Sequence, residues 1–314
     1  TTDSSYALNL FVENRTRARE VESNNIAADA NSITTEENPM GFLYDADDED
    51  WYKAVIQEEG KEMIVRVTAT DSWYSNTSNA WVHFYRGTDD PVSICYFKEN
   101  EQEGNYECNM LQSLGMETYY IRLEDPYGGD WATYWYTLDI TIQDEQETRE
   151  VEPNNTTGKS IELMSGDSIK GSLFDEDDED WYKVEIEGSG IELVANLTAS
   201  DRWYDSDSNA WVHLYRGTDD QISICGFDYY EIEGISKCDL LQSVATGTYY
   251  IRIEDPYGGD RTTSWYTLDV LVQDENRVRE VEPNNDSGQS IELESGDTID
   301  GMLYHEDDED WYKM

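Results

Sequence analysis

The chain has 314 residues, 70 acidic against 21 basic, for a formal charge of −49. That balance excludes nucleic acid and anionic membrane surfaces as partners, since both want basic patches, and it calls for counter-cations. The length exceeds one ordinary domain, and 23 Tyr and 10 Trp set among short strand-like runs exclude intrinsic disorder.

Residues 1–18 read as the last strand of a preceding repeat. Tyr6-Ala7-Leu8-Asn9-Leu10 stands where Tyr136-Thr137-Leu138-Asp139-Ile140 stands 130 residues later. Residues 19–148 and 149–278 read as two whole repeats, and 279–314 as the start of a further, truncated one. Residues 21–150 and 151–280 align without a gap and are identical at 68 of 130 positions. The simplest account is a window on a longer tandem array. A unit of 130 residues is too long for a solenoid turn, so each repeat is expected to bury its own core.

Within the second repeat, strand signals run over 181–186, 191–197, 210–215, 222–227, 248–253 and 266–272. Turn signals separate them at Gly188-Ser189-Gly190, Arg216-Gly217-Thr218-Asp219-Asp220 and Asp255-Pro256-Tyr257-Gly258-Gly259-Asp260. No stretch keeps a helical period. The fold class is therefore all-β, as tandem antiparallel β-sandwich, jelly-roll-like domains. In 211–215, Val212 and Leu214 face the core; Trp211, His213 and Tyr215 face outward, to stack on a sugar, meet a neighbour or form a second buried layer.

The four cysteines form two pairs with one spacing, Cys95 with Cys108 and Cys225 with Cys238. No CxxC and no neighbouring His suggests zinc, so disulfides are expected, and with them an extracellular or cell-surface location. No segment is long and apolar enough to cross a bilayer as a helix, so no membrane insertion is expected.

Two acidic segments recur together. In Arg149-Glu150-Val151-Glu152-Pro153-Asn154-Asn155 the extended backbone points Glu150, Glu152 and Asn154 one way. The turn at 175–180 adds Asp177 and Asp180. Four carboxylates and two amide carbonyls suit calcium, which takes about six to eight oxygens, better than magnesium. The same set recurs as Glu20, Glu22, Asn24, Asn25, Asp47 and Asp50, and as Glu280, Glu282, Asn284, Asn285, Asp307 and Asp310. An EF-hand is excluded, because the loop from Asp175 lacks Gly at its sixth position and Glu at its twelfth.

Taken in order, Glu-x-Glu-Pro-Asn-Asn, Gly-x-Leu, Asp-x-x-Asp-Trp-Tyr, Gly-Thr-Tyr-Tyr-Ile-Arg and Tyr-Thr-Leu resemble the bacterial pre-peptidase C-terminal domain, a family that includes the collagen-binding modules of clostridial collagenases. The resemblance implies a jelly-roll-like sandwich with calcium where the linker meets the acidic turn, on the residues just named. The first copy departs from the pattern: Ser23 stands in place of Pro, and 33–40 lacks the Gly-Asp turn. The cysteine pair is not a general feature of that family.

No GxSxG or HExxH occurs, only three His are present, and the candidate acids serve better as ligands, so no enzymatic activity is expected. The leading expectation is an extracellular structural protein, calcium-stabilised repeats forming a fibre, stalk or surface layer through self-association. The alternatives are a secreted multivalent module for a polysaccharide or fibrous protein, and an accessory region of a secreted hydrolase. Calcium is expected to stiffen the joint between repeats, since nothing apolar in 146–149 holds the linker.

Overall fold

A computed structural model describes residues 19–34, 38–43, 47–69, 74–75, 78–88, 91–100, 105–125, 135–173, 178–188, 190–200, 204–205, 208–226, 228–230, 235–255, 265–274, 279–301, 303 and 309–314. Strands dominate, and the one helical element among the described residues is a single 3-10 turn, Ala27–Asp29. The chain forms β-sandwiches in tandem.

In the second repeat one sheet orders Ile161–Leu163, Glu179–Ile186, Gly247–Glu254, Trp211–Arg216 and Asp220–Gly226. The facing sheet orders Ser168–Gly171, Tyr266–Asp274, Ile191–Ser200, Ile235–Val244 and Asp228–Tyr230. The first repeat builds the same pair of five-stranded sheets in the same order. All pairings within these sheets are antiparallel except the short edge strands Asn31–Ser32 and Ile161–Leu163, which lie parallel to Glu49–Val55 and Glu179–Ile186.

Alternation explains the packing. Along Ile191–Ser200, Leu193, Ala195, Leu197 and Ala199 turn inward; from the facing sheet come Tyr182, Val184, Val212, Leu214, Tyr249, Ile251 and Ile253. The first repeat has its own separate core around Tyr52, Val65, Val67, Phe84, Ile121 and Leu138. Each repeat thus buries its apolar residues against itself.

The strand Ile235–Val244 is absent from the sequence reading, which places a loop ahead of Cys238. Its inward side is Ser236, Cys238 and Leu240, too polar to show as a hydrophobic run, with Lys237 and Asp239 on the other side. Cys238 on this strand is bonded to Cys225 on Asp220–Gly226, and Cys108 on Asn105–Leu114 to Cys95 on Pro91–Tyr96. Each disulfide ties one sheet of a sandwich to the other. Such bridges form and persist in oxidising surroundings outside the cytoplasm.

The outward face of Trp211–Arg216 carries a second buried layer. Trp181 stacks on Tyr215 at 5.5 Å, and the Arg252 guanidinium lies 5.6 Å from the Trp181 ring centre. His213 Nε2 meets Glu254 Oε1 at 2.8 Å, and Arg252 donates to the same oxygen at 2.7 Å. In the first repeat Ala27 and Ala30, around the 3-10 turn, close over Trp51 and Tyr85. Among the described residues these aromatics are packed away rather than offered as a platform. Glu124 and Glu254 are committed to this layer through His83 and Arg122 and through His213 and Arg252.

Candidate metal centre

The linker reaches the following sandwich through its backbone. Glu150 N–H donates to Lys170 O at 2.9 Å, and Lys170 N–H donates back to Thr148 O at 3.0 Å, so 148–150 adds a short parallel bridge to the edge strand Ser168–Gly171. Four residues on, Trp181 N–H donates to Asn154 O at 3.3 Å, which docks the linker on the other sheet. The segment therefore spans the mouth of the sandwich. Its alternating side chains Glu150, Glu152 and Asn154 all point in and are buried.

There they meet Asp180, the second residue of Glu179–Ile186. One carboxylate oxygen each from Glu150, Glu152 and Asp180 lie within 4.8 Å of one another. Glu20, Glu22 and Asp50 form the same triad, as do Glu280, Glu282 and Asp310. The floor is a pair of tyrosines, one per sheet. Tyr182 Oη donates to Glu150 Oε2 at 2.7 Å, Tyr266 Oη to Asp180 Oδ2 at 2.6 Å, and the two hydroxyls touch each other. Ser172 N–H donates to Glu150 Oε1. Asn154 N–H donates to Glu152 Oε2 at 2.9 Å, and its Nδ2 to Glu150 Oε2 at 3.2 Å. In the first copy Tyr52, Tyr136 and Phe42 N–H hold Glu20 and Asp50 in the same way.

Of the residues read as ligands, the structure brings together Glu150, Glu152, Asn154, Asn155 and Asp180. Asp177 and Asp307 lie outside the described residues. Asp47 stands exposed in its turn, where its carbonyl accepts from Asn25 Nδ2 at 3.4 Å. Among the described residues of the turn Asp178 is buried beside Asp180, as Asp48 is beside Asp50 in the first copy; Asn155 Nδ2 donates to Asp178 Oδ1 at 3.0 Å. In the third copy Asn285 Oδ1 accepts from Glu309 N–H at 3.3 Å, and Tyr312 holds Glu280 at 2.6 Å. Asp178 is not among the acids singled out from the sequence, because six acids in a row offer no way to choose the inward ones. The sequence reading also misses the tyrosine floor, although Tyr recurs at 52, 182 and 312 and at 136 and 266.

Burial and mutual repulsion make these acids costly to ionise without a partner charge. Burial, opposed by hydrogen bonds, pushes the Glu150 carboxyl up to about 7. Burial and then the Glu20 charge push Asp50 up to about 10. Burial, followed by Asp178 and Glu150, raises Glu152; burial, followed by Glu150 and Asp178, raises Asp180. In the second site Glu152 Oε1, Asn154 Oδ1, Asn155 Oδ1 and Asp180 Oδ1 are buried without a hydrogen-bond donor. Leaving such oxygens unmatched costs about 1–3 kcal/mol apiece. Carboxylate and amide oxygens, with no nitrogen or sulfur donor, are what a hard cation such as calcium takes. The residues fit the ion.

No family model matches this chain. No curated protein matches it either. Among solved structures it is similar to a protein of Eubacterium rectale described as secreted, at 11% identity and a TM-score of 0.23, over 83% of this chain and 86% of that one. It is similar to the CBM22-1-CBM22-2 tandem domain of Paenibacillus barcinonensis Xyn10C at 11% identity and 0.24, over 71% and 82%. A third likeness, to tripeptidyl peptidase 2, has 9% identity and 0.25, and covers 77% of this chain but 24% of the peptidase.

Proposed function

We propose that this chain is part of a secreted, non-enzymatic structural array, in which calcium at the start of each β-sandwich fastens linker to body. The observation that carries the reading is the recurrence, three times at one offset, of a carboxylate triad with two acids from the linker and one from the turn that follows, fully buried in the second copy. An ion shared by Glu150, Glu152 and Asp180 cross-links two chain segments and neutralises carboxylates that otherwise repel. The disulfides favour the extracellular setting, and the motif resemblance to the pre-peptidase C-terminal domain favours calcium. His213 and Tyr215 lie in a packed layer, which favours the structural reading over a sugar platform on those two side chains. Self-association into a fibre, stalk or surface layer is the natural use of identical joints.

The test is a thermal melt and electron microscopy of the purified chain, with calcium and with chelator. Calcium should raise the melting temperature and stiffen the joints, and Asp180→Ala should blunt both gains. A melting temperature indifferent to calcium would remove the reading.

A further inference from the structure

At both described junctions the residue ahead of the acidic motif is an arginine that turns away from the carboxylates. Arg149 Nη1 pairs with Glu62 Oε2 of the preceding sandwich, and Arg279 Nη1 with Glu192 Oε1. These glutamates are 2% and 3% exposed. Each is the second residue of its strand, Lys61–Ala69 or Ile191–Ser200, and each is held by a second partner, Gln143 Nε2 at 2.6 Å or Gln273 Nε2 at 3.1 Å. The Arg149 guanidinium also lies 5.6 Å from the ring centre of Trp265, which belongs to the following sandwich; Arg19 keeps the equivalent contact with Trp135 at 4.6 Å. One guanidinium thus touches two repeats. Around it, Arg149 N–H donates to Glu145 Oε1 at 2.9 Å, an oxygen that also accepts from Ser113, and Arg86 Nη1 donates to the Glu152 carbonyl at 3.3 Å.

A comparison among the three copies shows what covers the acidic site. Glu22 is exposed and Val21 is 70% exposed, although a complete sandwich follows them. Glu282 is 1% exposed and Val281 half-buried, although the chain runs only to Met314 beyond them. Glu152 and Val151 are covered as well, with Val151 against Gly115 of the preceding sandwich. The sandwich before therefore completes the cover over Glu152 and Val151, on the side the following sandwich leaves open.

We infer that Arg149 and Arg279 are metal-independent latches, and that the end of each sandwich bearing Glu62, Gln143, Gly115 and Arg86 is a socket for the Arg-Glu-Val-Glu segment that opens another copy of the same repeat. The contact is heterologous, plug into socket, and such contacts run from copy to copy as an open rod wherever their rotation does not close a ring. Removing one member of a buried pair strands the other charge away from water, so the latch resists opening. It uses none of the carboxylates assigned to the ion, and it stands or falls apart from the calcium reading. It also replaces the expectation that 146–149 has nothing to hold it: the grip is polar, through Glu145 and Arg149.

The test is hydrogen exchange and small-angle scattering on the whole chain in chelator. Arg149 and Glu150 amides should stay protected in the wild type. Arg149→Ala should speed their exchange by about tenfold or more and widen the particle's dimensions, while Glu280 and the core strands exchange as before. Glu62→Gln, which keeps the Gln143 contact without the charge, should do the same. Reversing the pair with Glu62→Arg and Arg149→Glu together should restore most of the protection. Wild-type amides that exchange freely in chelator, or Arg149→Ala and Glu62→Gln amides as slow as wild type, would overturn the latch. Because no calcium is present, a failure of ion binding cannot produce either result.

Discussion

Gly171 has no room for a side chain. A Cβ there would lie 2.2 Å from Tyr266 Oη and 2.6 Å from Glu150 Oε2, and Gly41 and Gly301 face the same crowding. Gly171→Ala should therefore push the linker carboxylate off its tyrosine floor. The expected cost is about 1–3 kcal/mol, as for other overpacked sites, with the calcium-dependent gain in melting temperature reduced; melts with and without calcium check both. The raised carboxyls make a second prediction. For Glu150 the ordinary value is 4.5 and the folded value about 7. Between those values the folded state holds a proton that the unfolded chain has released, so stability falls as pH rises through the window. Glu152 and Asp180 are raised in the same sense and carry the decline upward. In chelator the melting temperature should thus drop from pH 5 to pH 8. With calcium the decline should flatten, because binding expels those protons and leaves the folded and unfolded carboxylates equally ionised, and the heat of binding should change with the buffer's own heat of ionisation.

Two disulfides join sheets within the sandwiches. Each closes a loop of 13 residues, worth very roughly 3 kcal/mol in the chain-entropy model. Replacing Cys225 and Cys238 together by Ser should cost about that much, read from denaturant melts. The elements also show which features the sequence made readable. Strands such as Tyr266–Asp274 announce themselves by alternation of Leu268, Val270 and their neighbours, and the linker acids by recurrence at a fixed offset. Ile235–Val244 stays hidden because Ser and Cys fill its inward positions where neighbouring strands use Val or Leu. Asp178 stays hidden because its acidic neighbours on both sides give composition nothing to distinguish it by. The outer layer of Trp181, Tyr215 and Arg252 is half readable: its facing follows from alternation, but its cover is a long-range contact. The latch is least readable, since Arg149 and Glu62 lie 87 positions apart and only folding both repeats brings them together.

At the scale of the whole molecule, a charge of −49 sets two effects of salt against each other. Surface carboxylates repel over about 8–10 Å at physiological ionic strength, and any salt weakens that repulsion. Acids shared between linker and sandwich are different, because they are buried and screened little by mobile ions. Sodium chloride should therefore stabilise the chain gradually and without saturation at millimolar levels. Calcium should stabilise it steeply, following the logarithm of one plus the ratio of free ion to Kd, which is about 2.7 kcal/mol per site at a hundredfold excess. Two linker acids and one body acid meet at each joint, so the calcium effect should appear in shape as well as in melting temperature. Latched joints without the ion should keep the repeats in line while letting the acidic mouth loosen; joints with the ion should be rigid throughout. Calorimetric scans at matched ionic strength, with calcium in one series and sodium alone in the other, separate the cases. Equal gains in both series would reduce the acidic segments to a solvated, merely screened surface.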